Sequence, residues 1–259
     1  MVLRAWGEGT DGDLGMAATD LLADARNAVR VLWAPDRTFA ALALRPRVAV
    51  AMALYLTATL LAAGTTLPRT DFGDGLEATA AQGGGAGAAV EPTDYEREQA
   101  REKARKIGAL TTWGAALAKP TLGAAAVAVA LFVAFWVAGA PVAFGATLSV
   151  VVHAALPLAL RALLGIPAAL AHGLTAGDPG ALLPSSAAAL VPAAAAPVHA
   201  ALSALDVFTV WTVVLTALGM ARLSGASRTR SLVATALPWA GLVALTLALS
   251  AATAAPPVH

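Results

Sequence analysis

Apolar residues in this chain neither alternate with polar ones at a strand period nor keep to one stripe of a helix. They come in runs of about twenty, closed by glycine, proline or charge. A helix rises 1.5 Å per residue, so about 20 apolar residues match the roughly 30 Å hydrocarbon core of a bilayer. Five runs read as membrane-spanning helices, at about residues 48–67, 119–139, 144–164, 202–221 and 231–251. The expected fold class is all-α. It is a polytopic membrane helical bundle of five transmembrane helices with an N-terminal amphipathic helix, since backbone polar groups in lipid must be satisfied internally. The segment Leu205–Gly225, LDVFTVWTVVLTALGMARLSG, organises this reading. It opens on Asp206, runs apolar to Met220 and ends in a loop holding Arg222, Arg228 and Arg230.

The intervals between the runs predict the remaining elements. Residues 1–18 are Gly- and Asp-rich and read as a disordered tail. Thr19 or Asp20 can cap a helix that continues to about Trp33. Leu21, Ala25, Ala28, Val29 and Leu32 share one face of it, with Asp24, Arg26 and Arg30 elsewhere. That pattern suits a helix lying on a membrane surface, and it equally suits packing on the protein's own loops. Pro35 fits the first turn of a second short helix within WAPDRTFAALALRPR (Trp33–Arg47), anchored by Phe39, Leu42 and Leu44. Residues 19–47 therefore form a cytoplasmic, interfacial unit ahead of a transmembrane domain over 48–252. Residues 68–118 are the one long loop. It holds a flexible QGGGAGAA linker at 82–89 and a charged helix capped by Asp94. In that helix Glu102 and Lys106 attract at i,i+4, while Arg97–Arg101 and Glu98–Glu102 repel. Its apolar second half, with Ile107, Leu110, Gly114 and Leu117, is expected to lie along the membrane before the second span.

In the second span Ala126, Ala130, Ala134 and Ala138 recur every four residues, a spacing that lets helices approach closely in lipid and predicts an internal seam. Gly139-Ala140-Pro141 makes the following turn. Pro157 predicts a kink in the third span and Pro238 one in the fifth. Pro167, Pro179, Pro184, Pro192 and Pro197 argue against a further span in residues 165–203, where a short re-entrant or interfacial piece plus an exposed loop is expected.

Composition sharpens this picture. The 259 residues are 58% hydrophobic and only 13% charged, against about 25% charged in ordinary soluble domains. No charge occurs between Lys119 and Arg161. A net charge of +1 does not point to nucleic acid. The absence of cysteine excludes disulfides, thiolate chemistry and Cys-based metal sites. With five spans, the N-terminal region and the 222–230 loop fall on one side and carry nine Lys/Arg between them. The long loop on the other side has seven, accompanied by eight acids. The positive-inside rule then places a multi-pass chain in the cell membrane with its N-terminus cytoplasmic and its C-terminus outside.

Three segments give the chain a family likeness. One is WAPDRTFAALALRPR, with Pro-x-x-Thr-Phe and then Arg-Pro just before the first span. The second is FGATLSVVVHAALP (Phe144–Pro157). The most specific is the opening of the fourth span, Leu-Asp-x-Phe-x-x-Trp, carried by Leu205, Asp206, Phe208 and Trp211. In this order and spacing, over about residues 20–250, they make the chain similar to the Yip1 family of five-span membrane proteins. The resemblance implies a cytoplasmic N-terminus, five spans and no catalysis. Eukaryotic relatives are linked to membrane trafficking and to binding lipidated small GTPases. The Ala/Arg-rich style here looks prokaryotic, and for such members the family implies little beyond membrane residence.

Few polar residues are left to carry chemistry. Asp206 and Arg161 lie near the outer ends of their spans, where Asp206 can cap a helix and Arg161 can snorkel to head groups. The sharper expectation is an Arg161–Asp206 ion pair between the third and fourth spans. His153, near the middle of the third span, reads as a hydrogen-bonded core residue, because a proton relay would want a second titratable group at its depth. His172, His199 and His259 show no ligand spacing, so neither metal nor cofactor is expected. There is no phosphate loop, Gly-x-Ser-x-Gly or His-Glu-x-x-His. The reading is a non-catalytic scaffold or adaptor whose contact segment holds Pro35, Thr38, Phe39, Arg45 and Pro46. Its expected partners are the lipid bilayer and other membrane proteins or further copies of the chain, with no small-molecule substrate identified. The alternative is a small-solute or ion transporter using His153, Arg161 and Asp206.

Overall fold

The computed structural model describes residues 21–71, 93–171, 174–175, 183–191 and 196–253. The expected tail at 1–18, the linker at 82–89, His172 and His259 lie outside them. Helix α1 covers residues 21–30. Helix α2 (Pro35–Leu44) starts on Pro35, whose fixed φ suits a first turn, and stops where Arg45 turns extended before Pro46. Helix α3 (Ala49–Thr66) runs on through a 3-10 turn, Leu67–Arg69, into a two-residue strand β1 (Thr70–Asp71). Among the described residues, four helical stretches are long and apolar enough to cross a membrane: Ala49–Arg69, Asp94–Val137, Phe144–Ala171 and Val207–Ser224.

The second stretch departs from expectation. Helix α4 (Asp94–Ala118) passes through a π turn at Lys119–Gly123 straight into α5 (Ala124–Val137), so 44 residues form one helix. Its cap is Thr93 rather than Asp94. The Thr93 hydroxyl accepts from the Glu96 N–H, and the Glu96 carboxylate accepts from the Thr93 N–H at 2.8 Å, a reciprocal capping box. The apolar half does not break away from the span. Thr59 of α3 donates to the Ala116 carbonyl at 2.9 Å, and Gly64 lies against the Trp113 ring. Pro120 has no N–H to give the helix, and the wider π turn absorbs that loss without a break. The expected alanine stripe does not form the seam, and its Ala134 and Ala138 are only half-buried. Ala126 and Ala130 are exposed, and the seam is built by Ala124, Ala128, Leu131 and Phe135.

Gly139, at φ +72°, makes the turn into α6 (Phe144–Ala154). Pro157 withdraws the N–H that would bond His153, and the axis breaks at Ala155 before α7 (Leu156–Ala171). Pro167 does not end α7, so the third stretch extends a full two turns beyond the expected end near residue 164. A second two-residue strand, β2 (Leu174–Thr175), pairs parallel to β1. After a 3-10 turn at Ala187–Leu190 come α8 (Ala196–Ala204), α9 (Val207–Ser224) and α10 (Arg228–Thr253). The fourth span therefore begins at 207, not 202, because Leu205 and Asp206 leave the helical path.

Two fixed points align α3 with α6–α7. At one end the Ser149 hydroxyl donates to the Arg47 carbonyl at 2.8 Å and accepts its N–H at 3.2 Å. At the other, Thr70 pairs with Leu174. The two stretches therefore run parallel, joined by the long helix that returns between them. Helix α2 is packed into this bundle between α9 and α6. Phe39, 1% exposed, presses its ring on Gly219 of α9, where a Cβ would lie 3.0 Å from the ring and closer still to Val150. Gly219→Ala is expected to overpack this crossing, at the cost of about 1–3 kcal/mol. Thermal unfolding in detergent checks it, and an unchanged midpoint would show that α2 does not dock there.

The capping box adds a pH dependence. Hydrogen bonds from Thr93 hold the Glu96 carboxyl below its ordinary value of 4.5. A depressed folded value means the cap is fully present above about pH 5 and is lost as pH falls through that value toward the lowered one. Amide protection at the start of α4, corrected for intrinsic exchange, is expected to drop in that window in the native chain and to be flat in Thr93→Ala.

Candidate functional site

Among the described residues, two largely apolar cavities in the bundle carry charged side chains in their walls, and several of the residues singled out from the sequence line one or the other. The first, about 250 Å³, lies under the N-terminal helices and is lined by Asp24, Asn27, Thr38, Arg45, Arg47 and His153 among others. The second, about 550 Å³, lies between α3, the α4–π turn and α7, and is lined by Tyr55, Thr59, Thr112, Lys119 and Arg161 among others.

His153 is buried, and its Nδ1 sits 2.8 Å from the Ser149 carbonyl. A carbonyl only accepts, so Nδ1 carries the proton and Nε2 is left as an acceptor. This is the hydrogen-bonded core histidine expected from an isolated residue on an apolar face. Its titratable neighbour was not legible. Asp24 and Arg47 form an ion pair in the same cavity, and Asp24 comes from α1 rather than from any span.

Asp206 is 1% exposed, and every part of it is used. Oδ1 accepts the N–H groups of Phe208 (2.9 Å) and Thr209 (3.3 Å), the N-cap role its position suggested. Oδ2 accepts the Ser185 hydroxyl and faces Arg161 Nε at 3.4 Å. The expected ion pair between α7 and the start of α9 is therefore formed. Its backbone pairs with the incoming loop as well: the Val207 N–H donates to the Ser185 carbonyl at 3.0 Å, and that of Ala187 to Leu205 at 3.1 Å. Of the family-like quartet, Asp206 is buried, Trp211 packs on the core, Phe208 is half-buried and Leu205 is exposed.

The contact segment needs a correction. Thr38 and Phe39 are buried inside the chain's own bundle and cannot meet a partner. Gly219 has no side chain, so it leaves a socket that Phe39 fills. Arg45 and Pro46 are exposed and Pro35 is half-buried. The surface instead shows Leu21 at 58%, Trp33 at 67% and Leu44 at 85% exposure. Of the face predicted for α1, Ala28 turns inward while Leu21 and Val29 stay exposed. Lys119, at the start of the second expected span, is exposed between half-buried Ala118 and buried Pro120, and it lines the larger cavity.

Long apolar helices packed through small residues, with the few interior charges paired or lining cavities, define a polytopic α-helical membrane protein. The Yip1 domain model matches residues 29–250, so the chain belongs to the Yip1 family. No curated protein and no solved structure matches the chain.

Asparagine caps a helix as well as aspartate but carries no charge, which separates the two roles of Asp206. Asp206→Ala is expected to lower stability more than Asp206→Asn, by about the 0.5–2 kcal/mol of a lost cap. An Arg161/Asp206 charge swap is expected to recover little, because arginine cannot accept the Phe208 and Thr209 N–H groups. Unfolding midpoints of the three variants in detergent decide this; equal losses for Ala and Asn would leave only the ion pair.

Proposed function

We propose that this Yip1-family chain is a five-span, non-catalytic membrane scaffold, with its N-terminal helices as the contact face for other membrane proteins. The observation that carries the reading is the two-sided build of residues 21–47. One side is fastened into the bundle. Ala28, Val31, Phe39 and Leu42 are buried there. Asp36 bridges Arg222 (2.9 Å) and Arg228 (3.1 Å), and Asp24 pairs with Arg47. The other side presents Leu21, Leu22, Trp33 and Leu44 beside the exposed cations Arg26, Arg37 and Arg45. An apolar and basic face held rigid in advance loses little entropy on contact, and it suits a bilayer surface or a membrane-bound partner.

Helix α10, 26 residues long and rich in Leu, Val and Ala, supplies the fifth span in this reading. Five spans put the arginines of the N-terminal region and the 222–230 loop on one side, which favours a cytoplasmic N-terminus and an external C-terminus. The contact set becomes Trp33, Leu44, Arg45 and Pro46 in place of Thr38 and Phe39.

A photo-reactive residue at Trp33 tests the reading in cells. Discrete adducts with other proteins are expected there, while the same probe at Phe39 is expected to crosslink only within the chain. Lipid adducts alone from position 33 would sink the scaffold reading.

A further inference from the structure

We infer that the cavity between α3, the π turn and α7 binds a phosphate-type anion, held by Lys119, Arg161 and the Tyr55 hydroxyl. Between Ile107 and Ala221 the chain has only four charged residues: Lys119, Arg161, Asp178 and Asp206. Charges are rare in spanning helices because they are costly there, though less so near a helix end than at its centre. Three of the four converge here from three separate segments, Lys119 and Arg161 lining the cavity and Asp206 bonded to Arg161. Scattered snorkelling cations would have no reason to meet.

The local charge does not balance. Asp206 is the one acid of the cluster, and its oxygens already serve Ser185, two backbone N–H groups and Arg161. Among the described residues, nothing pairs with the Lys119 ammonium or hydrogen-bonds the Tyr55 hydroxyl. The threonines beside them are satisfied: Thr59 donates to Ala116 and Thr112 to Gly108. Two cations against one committed acid leave a net positive site with donors to spare. Those donors stand on α3, the π turn and α7, so they approach one ligand from three directions. That suits a many-oxygen anion better than a single halide, which needs far less than about 550 Å³. Most of the remaining lining is apolar, with Leu158, Ala162 and Leu183, so the cavity also has room for an apolar group esterified to the phosphate. The π turn that starts at Lys119 is a distortion found frequently at functional sites.

Two sources share this chemistry, an anionic phospholipid headgroup and a soluble phosphate. The full chain in nanodiscs of phosphatidylglycerol or phosphatidylcholine separates them. Native mass spectrometry is expected to show phosphatidylglycerol retained through delipidation in preference to phosphatidylcholine. Losing a charged donor weakens binding by about tenfold or more, so Lys119→Gln is expected to release the lipid at least that much more readily. Lys119→Arg is expected to restore it, and Tyr55→Phe gives an independent second loss. If inorganic phosphate raises the unfolding midpoint of wild type but not of Lys119→Gln in phosphatidylcholine discs, the ligand is soluble. Retention of phosphatidylglycerol without a phosphate effect assigns a lipid headgroup. A wild type with neither a headgroup preference nor a phosphate shift overturns the site, as does a Lys119→Gln variant that binds like wild type.

Discussion

The burial of one carboxylate, Asp206, sets conditions that much of this bundle must meet. A charge removed from water is strongly unfavourable unless hydrogen-bonded and paired. Here the four partners come from the first turn of α9, from the 183–191 segment and from α7. Satisfying Asp206 therefore fixes where α9 starts, pins a proline-broken connection to the helix end and holds α7 against α9. A position that could have been a simple surface cap becomes a joint among three segments.

The second constraint is steric. Phe39 needs a place away from solvent, and Gly219 with Val150 provides one only if α2 lies between α6 and α9. With α2 seated there, Asp36 comes to the basic loop and bonds Arg222 at 2.9 Å and Arg228 at 3.1 Å. Exposed pairs of this kind add at most about 1 kcal/mol each, so they register the position rather than create it. Burial of the aromatic ring supplies the larger share of the free energy.

These two joints stand toward opposite ends of the paired stretches α3 and α6–α7, and a cavity lies near each. Near the N-terminal helices, the Ser149 clamp on Arg47 sets α3 beside His153, and α1 roofs the gap with Asp24. Farther along, Lys119 and Arg161 line one space between α3, the π turn and α7. The bundle thus places an exposed apolar and basic face and a cavity lined by two cations at different levels.

Much of this was legible in the residues themselves. Runs of apolar residues dictate helices because lipid offers backbone groups no other partner, and the polar spacing marks their ends. Asp206 before a helix, cations beside the first span and His153 alone on an apolar face could be read from local chemistry. What the sequence could not decide was which faces meet. Ala126 and Ala128 look alike in a chain so rich in alanine, and only the packing of α5 on its neighbours chose the second. Phe39 reads as an anchor in any setting; that it anchors to Gly219, 180 positions away, depends on the crossing of α2 and α9. Lys119 sits at the edge of an apolar run in one dimension. It becomes part of a cavity because the helix continues through Pro120 as a π turn, and whether a helix breaks or bulges at proline is settled by what packs around it.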